Sequence, residues 1–317
     1  MKKLFLPLLF CLTLVSCSSN AIENEGVFYS FNTEVRIRTY EGSNEDIQEL
    51  QAIFEKFSKE TDNYLASDIN SVSTINATSS EVVVSNDLYS CLKQADTLTT
   101  DLDTYFSAYI GSLSKAWKES LEAGEVLSSE TIETELNKSR NTSLSFNETN
   151  KGVTRNGSGE IDLGAIAKGY ALDLAKKYFQ TKQFKNYIVD AGSSSILVGE
   201  KPTDGGLFTI KIKNLGETYL KVKNTCVSTS SVSEQYKVID NIRYSHIINP
   251  ENGDARPINE AVILLSDEGA IGDALSTSMM LMSVPEVISI ENEYHVKAIV
   301  IRDRKVEYVN KDIELFH

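Results

Sequence analysis

Histidine, cysteine, tryptophan and proline are all scarce in this chain of 317 residues, at three, four, one and five respectively. Four cysteines cannot build the dense disulfide framework of a small secreted domain, and no Cys or His spacing matches a metal-ligand pattern. Cys11 lies in an apolar leader, and Cys91 and Cys226, far apart in the chain, read as buried small hydrophobes. Few prolines and no low-complexity tract argue for a globular body. Positive charge is also short: 31 Lys and Arg stand against 45 Asp and Glu, a formal charge of −14. Such a surface argues against nucleic acid or anionic lipid as a direct partner. It does not oppose a phosphate ligand, for which a few backbone amides and one lysine suffice. After residue 15 no run approaches the roughly 20 apolar residues that a membrane-spanning helix needs.

What the first residues do have is export character. Lys2 and Lys3 precede an apolar stretch over residues 4–15, followed by small residues at Ser16, Ser18 and Ser19. That run is too short for a spanning helix and fits the core of a secretory signal peptide. Leu14-Val15-Ser16-Cys17 resembles a bacterial lipobox, which implies a diacylated Cys17 as first mature residue. The alternative is an ordinary signal peptide with an incidental cysteine. The expected organisation is a signal peptide over 1–16, a lipid-anchored tether over 17–26 and one folded domain over 27–317. It places the protein outside the cytoplasm, anchored to a bacterial membrane by two or more acyl chains. Cleavage removes two lysines and no acid, so the mature charge is 29 − 45 = −16.

The remaining pattern is α+β. Alternation over residues 27–40 reads as a strand. Ile47, Leu50, Ile53, Phe54 and Phe57 recur at helical spacing after Ser43 and Asn44, candidate caps. A polar loop to residue 76, a short apolar run at 82–84 and a helix over 87–100 follow. Residues 105–117 are mixed and aromatic, and 129–137 read as a short helix. Residues 158–163 read as an apolar strand leading into a helix over 166–179. Strands are expected over 187–189, 196–198, 207–213, 220–222 and 227–230, a helix over 272–282, and a terminal hairpin over 296–309. No repeat and no linker divides the chain, so a single large domain of mixed sheets with packed helices is expected.

Three stretches carry candidate chemistry. The first is Glu160-Ile161-Asp162-Leu163-Gly164-Ala165-Ile166-Ala167-Lys168-Gly169-Tyr170-Ala171. A tight Gly164-Ala165 turn opens a helix whose free N–H groups favour an anion, and Lys168 in its first turn adds a point charge. It is neither a P-loop nor a dinucleotide fingerprint, and such a turn also occurs for structural reasons alone. In the second, Gly272-Asp273-Ala274-Leu275-Ser276-Thr277, Asp273 and Thr277 lie four apart on one helix face. A carboxylate and a hydroxyl there suit magnesium, or else form an N-terminal cap with a buried threonine. The third, Tyr244-Ser245-His246-Ile247-Ile248-Asn249-Pro250 with Glu251-Asn252-Gly253, reads as a strand entering a turn. His246 there is an acid, a base or a packed polar residue.

In order, these stretches resemble the ApbE-type flavin transferases, enzymes that move FMN from FAD onto a protein threonine. IDLGAIAKGYALD is similar to that family's DLGGIAKGYA, YSHIINPENG to SHIIDPRTG, and DALST to DALAT. Asp190-Ala191-Gly192 is similar to its strand-and-glycine segment, and Val227-Ser228-Thr229-Ser230 to its threonine-serine turn. Phe31-Asn32-Thr33 and residues 106–117 correspond in pattern, so the likeness covers nearly the whole mature chain. The resemblance implies Asp273 and Thr277 as side-chain magnesium ligands with the carbonyl of Ala165 as a third. It implies Lys168, Asp190, His246 and Ile248 about the flavin nucleotide. Phe106 and Ser107 fall where the family contacts FAD through an aromatic-Asp-Pro-Thr segment. His246 is the candidate base, with Asp273 or a metal-bound water as competitors.

The implied activity is magnesium-dependent transfer of FMN from FAD to a threonine of an exported acceptor protein, with AMP released. An FAD pyrophosphatase giving FMN and AMP, and a non-catalytic FAD-binding lipoprotein, are the rival readings. Departures from the family pattern are Ser107-Ala108-Tyr109 for Asp-Pro-Thr, Ser193 and Ser231 for glycines, and Asn249 for Asp. None removes an implied metal ligand or Lys168.

Overall fold

Eight strands pair into one antiparallel sheet in the computed structural model, which describes residues 23–64, 69–213, 215–233 and 235–317. The leader and Cys17 lie outside the described residues. In spatial order the strands are Asn24–Ser30, Thr33–Thr39, Tyr187–Ala191, Ser195–Val198, Thr225–Ser231, Ala261–Ser266, Lys297–Arg302 and Lys305–Val309. Strands Ser195–Val198, Ala261–Ser266 and Lys297–Arg302 are apolar almost throughout because both faces are covered, and neighbouring residues serve opposite sides. Val262 and Leu264 enter the core beneath the helices Asn44–Thr61, Ala167–Lys182 and Gly269–Met279. Ile263, Ile299 and Ile301 point the other way, into a second core. Phe208, Leu220 and Val222 cover that core from a three-stranded sheet of Phe208–Lys211, Tyr219–Val222 and Leu315–Phe316. The fold is thus α+β, with mixed sheets and packed helices.

The first long helix starts where its caps predict. Ser43 Oγ accepts a hydrogen bond from Glu45 N–H, and the Asp46 carboxylate accepts one from the Ser43 N–H. A third cluster positions the loop after residue 245. Leu113, Trp117 and Leu121 of Gly111–Ala123 and Leu136 of Ser129–Arg140 enclose Tyr244 and Ala255. The Trp117 ring stacks on Tyr244 at 5.6 Å, and its Nε1 donates to the Gly253 carbonyl at 2.9 Å. The one tryptophan therefore clamps both ends of the SHIINPENG segment.

Several elements differ from their sequence expectation. Residues 27–40 form a hairpin rather than one strand, because Phe31 and Asn32, at φ 51° and 56°, make a two-residue turn. Such turns normally announce themselves by Asn-Gly or Gly-Gly, absent here. Residues 158–163 are not a strand. Their backbone is satisfied by loop partners: Gly111 N–H donates to the Glu160 carbonyl, Asp162 N–H to that of Ala108, and the Asn76 amide holds both backbone groups of Ile161. Buried Ile161 and Leu163 supplied the alternation without a sheet. Val227-Ser228-Thr229-Ser230 is strand, as expected over 227–230, and lies inside the sheet rather than in the turn of the family likeness, pairing with Ser195–Val198 on one side and Ala261–Ser266 on the other. The helix expected over 272–282 is Gly269–Met279, which puts Asp273 inside it and Glu268 at the N-cap. Helices Val72–Asn76, Gly111–Ala123 and Val284–Tyr294 and the hairpin Ser143–Asn147/Gly152–Asn156 went unanticipated.

Candidate functional site

The three motif stretches meet around one cleft of 470 Å³. Phe106, Ser107, Ala165, Lys168, His246, Ile248, Asp273 and Thr277 all line it. The sheet positions them: the helices Ala167–Lys182 and Gly269–Met279 cross on its face, and the end of Thr225–Ser231 lies alongside.

Asp273 is the best-held of these side chains. It is only 7% exposed, and its carboxylate accepts from the hydroxyls of Ser195 (2.8 Å) and Ser228 (2.7 Å) and the Gly169 N–H (2.7 Å). Burial pushes its carboxyl above the usual range, while Lys168, the two serines and the Gly169 N–H pull it back. A desolvated carboxylate in that balance favours a cation beside it. Thr277 follows one turn later, its Oγ1 donating to the Asp273 carbonyl at 3.0 Å and lying 3.1 Å from Ser230 Oγ. The Gly169 N–H lies four residues after Ala165, where an unbroken helix would send it to the Ala165 carbonyl. It donates to Asp273 instead, and the helix begins only at Ala167. The chain thus offers a carboxylate, a hydroxyl and a carbonyl, an all-oxygen set suited to a hard cation.

His246 follows the strand Ile242–Ser245 and is exposed at the cleft. Its Nδ1 lies 3.2 Å from the Gln235 carbonyl. A carbonyl only accepts, so this bond places the proton on Nδ1 and leaves Nε2 with the lone pair in the neutral ring. Beyond it, Asn249 Oδ1 accepts from Glu251 N–H at 2.7 Å. That acceptor-only duty explains how an amide stands where the family has a carboxylate. Ser107 Oγ likewise accepts from Tyr109 N–H at 3.1 Å, a short local turn. Ala108 N–H, which a proline would lack, donates to Thr99 Oγ1 at 2.9 Å.

Asp190 is not among the residues lining the cleft. Its Oδ1 accepts from Ser193 N–H at 2.6 Å and holds the turn of Gly192 and Ser193, at φ 72° and 60°. That bond stabilises the left-handed backbone of Ser193 where the family has glycine.

Other contributors escaped sequence reasoning. Ser195 and Ser228 reach Asp273 from strands 78 and 45 residues away in the chain, and nothing local signals the pairing. Tyr64 and Lys118 also line the cleft, the ammonium 4.6 Å from the ring centroid. Cys91 and Cys226 are free and buried, with thiols pushed up by burial.

Asp173, inside the first motif, caps the second helix from outside it. It accepts from Gly269 N–H (2.6 Å) and Ala270 N–H (2.9 Å), while Glu268 at the N-cap makes no side-chain cap bond. Burial pushes its carboxyl from 3.8 up to about 6, against those two N–H groups. In that window the folded chain keeps a proton that the unfolded chain has released, so this group's contribution to stability falls as pH rises through it. Between pH 4 and 7 the loss is on the order of 2 kcal/mol. Asp173→Asn should remove this part of the slope in denaturant unfolding at the two pH values. Identical slopes in the two proteins would refute the assignment.

Comparison with known proteins follows the same lines. The ApbE family model matches residues 31–300. An FAD:protein FMN transferase of Vibrio cholerae is 29% identical over 150 residues, 44% of this chain and 44% of that protein. One from Klebsiella pneumoniae is 27% identical over 215 residues, 64% of this chain and 65% of its own length. The chain thus spans about half to two thirds of the length of these curated relatives. Among solved structures, the ApbE protein of Thermotoga maritima superposes with a TM-score of 0.76 at 26% identity, covering 88% of this chain and 94% of that one.

Proposed function

The chain belongs to the ApbE family, and from that premise we propose that it transfers FMN from FAD to a threonine of an exported acceptor protein, releasing AMP. The observation that carries this reading is the buried Asp273 carboxylate at the cleft, which Thr277 and Ala165 also line. This oxygen-only set around a desolvated anion fits magnesium, which Asp273, Thr277 and the Ala165 carbonyl would hold. Bound there, magnesium would neutralise pyrophosphate charge and improve AMP as leaving group. Lys168, in the first turn of its helix, adds positive charge for the same phosphates. Phe106 and Ile248 supply apolar wall for the flavin, and Ser107 a hydroxyl.

The threonine oxygen attacks the FMN phosphorus in line, the bond to the AMP phosphate breaks, and the threonine proton must go to a base. His246 suits that task. Its Nδ1–H is held by the Gln235 carbonyl, which makes Nε2 the proton-accepting nitrogen of the neutral ring. His246→Gln should lower turnover by about 10²–10³-fold, with a much smaller change in FAD affinity. A full rate in that variant would hand the role to Asp273 or a metal-bound water. The lipobox-like Leu14-Val15-Ser16-Cys17 supports an extracytoplasmic, lipid-anchored location; acyl mass on a Cys17-bearing peptide tests it.

The deciding experiment incubates the full chain with FAD and magnesium, with and without a threonine-bearing acceptor domain, and reads nucleotides and acceptor mass together. Transfer predicts one FMN added to the acceptor and AMP released. Free FMN and AMP in both samples would mean a pyrophosphatase, and intact FAD retained by the protein a binding function.

A further inference from the structure

One hairpin, Tyr236–Ile239 paired with Ile242–Ser245, borders two depressions. Gln235 and His246 at its base line the cleft, while Arg243 and Ser245 line a second hollow of 510 Å³. Arg256, Arg302 and Arg304 complete its basic lining. The whole chain has eight arginines and a formal charge of −14, so half of its guanidinium groups meet at this one place. Glu260 and Asp303 share the lining, and two of the four guanidiniums carry a carboxylate of their own, Asp254 2.7 Å from Arg256 and Glu307 3.9 Å from Arg302, which leaves Arg243 and Arg304 to meet a ligand. Internal contacts occupy part of three of the guanidiniums. Arg256 forks onto Asp254, Arg302 donates to Asn259 Oδ1 at 2.8 Å, and Arg243 lies 4.6 Å from the Tyr236 ring centroid. Glu260 is taken by the backbone N–H of Arg304 at 2.8 Å.

The same place is unusually apolar at its surface. Tyr236, Val238 and Ile242 on the hairpin and Ile258 in the hollow are 46%, 57%, 40% and 50% exposed. The hairpin forms a sheet of its own, and a two-stranded ribbon gains little from its own contacts. Its tip, Asp240 and Asn241 at φ 50° and 63°, is a tight turn that holds the two strands in register. Exposed aliphatic groups and a tyrosine interleaved with arginines are the composition of protein-binding surfaces.

We propose that this arginine-lined hollow and its hairpin dock an acidic polypeptide segment of the flavin-accepting protein, beside the threonine to be modified. The proposal rests on the transfer reading and names the chemistry of its partner. Continuity favours a polypeptide over a membrane surface. Ser231 lines the cleft and Val232 the hollow; His246 lines the cleft and Ser245 the hollow. An extended chain advances about 3.3 Å per residue, so a few residues link a carboxylate on the arginines to a threonine beside His246.

The test uses the full chain, two 20-residue peptides and fluorescence anisotropy. Both peptides carry one threonine in an apolar stretch, flanked in one by Asp and Glu and in the other by Lys. The acidic peptide should bind at least about tenfold more tightly, and R243E with R304E should abolish that preference. R243K with R304K should restore it, and FAD affinity should stay unchanged throughout. With an acceptor domain that the unaltered protein labels, the reversal variant should raise KM for acceptor and leave kcat alone. Equal binding of the two peptides, or unchanged affinity in the reversal variant, overturns the docking site and leaves flavin transfer standing. Loss of binding to phosphatidylglycerol vesicles with unchanged peptide affinity would assign the hollow to lipid and equally overturn it. Failure of the unaltered protein to label any threonine acceptor counts instead against the transfer reading, and removes the docked partner with it.

Discussion

Asp273→Asn should reduce magnesium-dependent AMP release from FAD by about a thousandfold or more, while the thermal midpoint moves little. Two opposed effects produce the small stability change. The amide removes the buried charge whose desolvation holds the carboxyl above its usual range. It also turns three charge-assisted hydrogen bonds into neutral ones: the amide oxygen keeps the Gly169 N–H, and the Ser195 and Ser228 hydroxyls rotate to accept from the NH2. Each weakened bond costs about 1 kcal/mol, in sum close to what relief of the charge returns. No such compensation exists for the activity, because an amide oxygen is a poor magnesium ligand and carries no charge. Asp273→Ala should be equally inactive and less stable, since it leaves the N–H without an acceptor beside a new cavity. Calorimetric titration of magnesium into each variant, with turnover measured in parallel, checks the pair of claims. Undiminished turnover in either variant would eliminate Asp273 as a ligand.

The contrast between Asp273 and its supports shows what a single sequence exposes. Asp273 and Thr277 were legible because a four-residue helical spacing puts both on one face. Lys168 was legible from a turn that opens a helix. Ser195 and Ser228 were not, because their two strands must pair, bringing the serines side by side, before both hydroxyls can meet the carboxylate on the helix above. Helix Gly111–Ala123 gave no start signal, since Ile110 at its N-cap makes no side-chain bond and the Glu160 carbonyl takes the Gly111 N–H instead. Helix Val284–Tyr294 did carry one: Ser283 and Glu286 form a capping box with Pro285 in the first turn. The hairpin at residues 24–39 was hidden because Phe31 holds a left-handed backbone for which few sequences use an aromatic. Phe31 also lines the cleft, so the local rule is broken at the site itself.

Gly169→Ala should destabilise the protein by about 3 kcal/mol and cost about a hundredfold in turnover, against the sign that helix propensity alone suggests. Inside a helix, alanine is favoured over glycine by about 1 kcal/mol. Here the helices Ala167–Lys182 and Gly269–Met279 cross glycine on glycine. A Cβ on Gly169 would lie 2.0 Å from the Gly269 carbonyl oxygen and 2.3 Å from its carbon, and one on Gly269 would lie 2.4 Å from the Gly169 oxygen. These obstacles are backbone and cannot rotate away, so the helices must part by roughly 1.5 Å to restore normal contact. That movement draws the Gly169 N–H off Asp273 and shifts Lys168 and Ala165, one residue and four residues before it, relative to Thr277. Gly272→Ala supplies the control. Its Cβ would meet the hydroxyls of Ser266 at 2.5 Å and Ser228 at 2.7 Å, which can turn, although Ser228 then releases Asp273. It should therefore lose activity with a smaller drop in unfolding free energy. Urea unfolding and FMN transfer measured on both variants separate the two cases. A Gly169→Ala protein as stable as the parent would show that the crossing tolerates a methyl, and that close approach of the two helices does not set the geometry around Asp273.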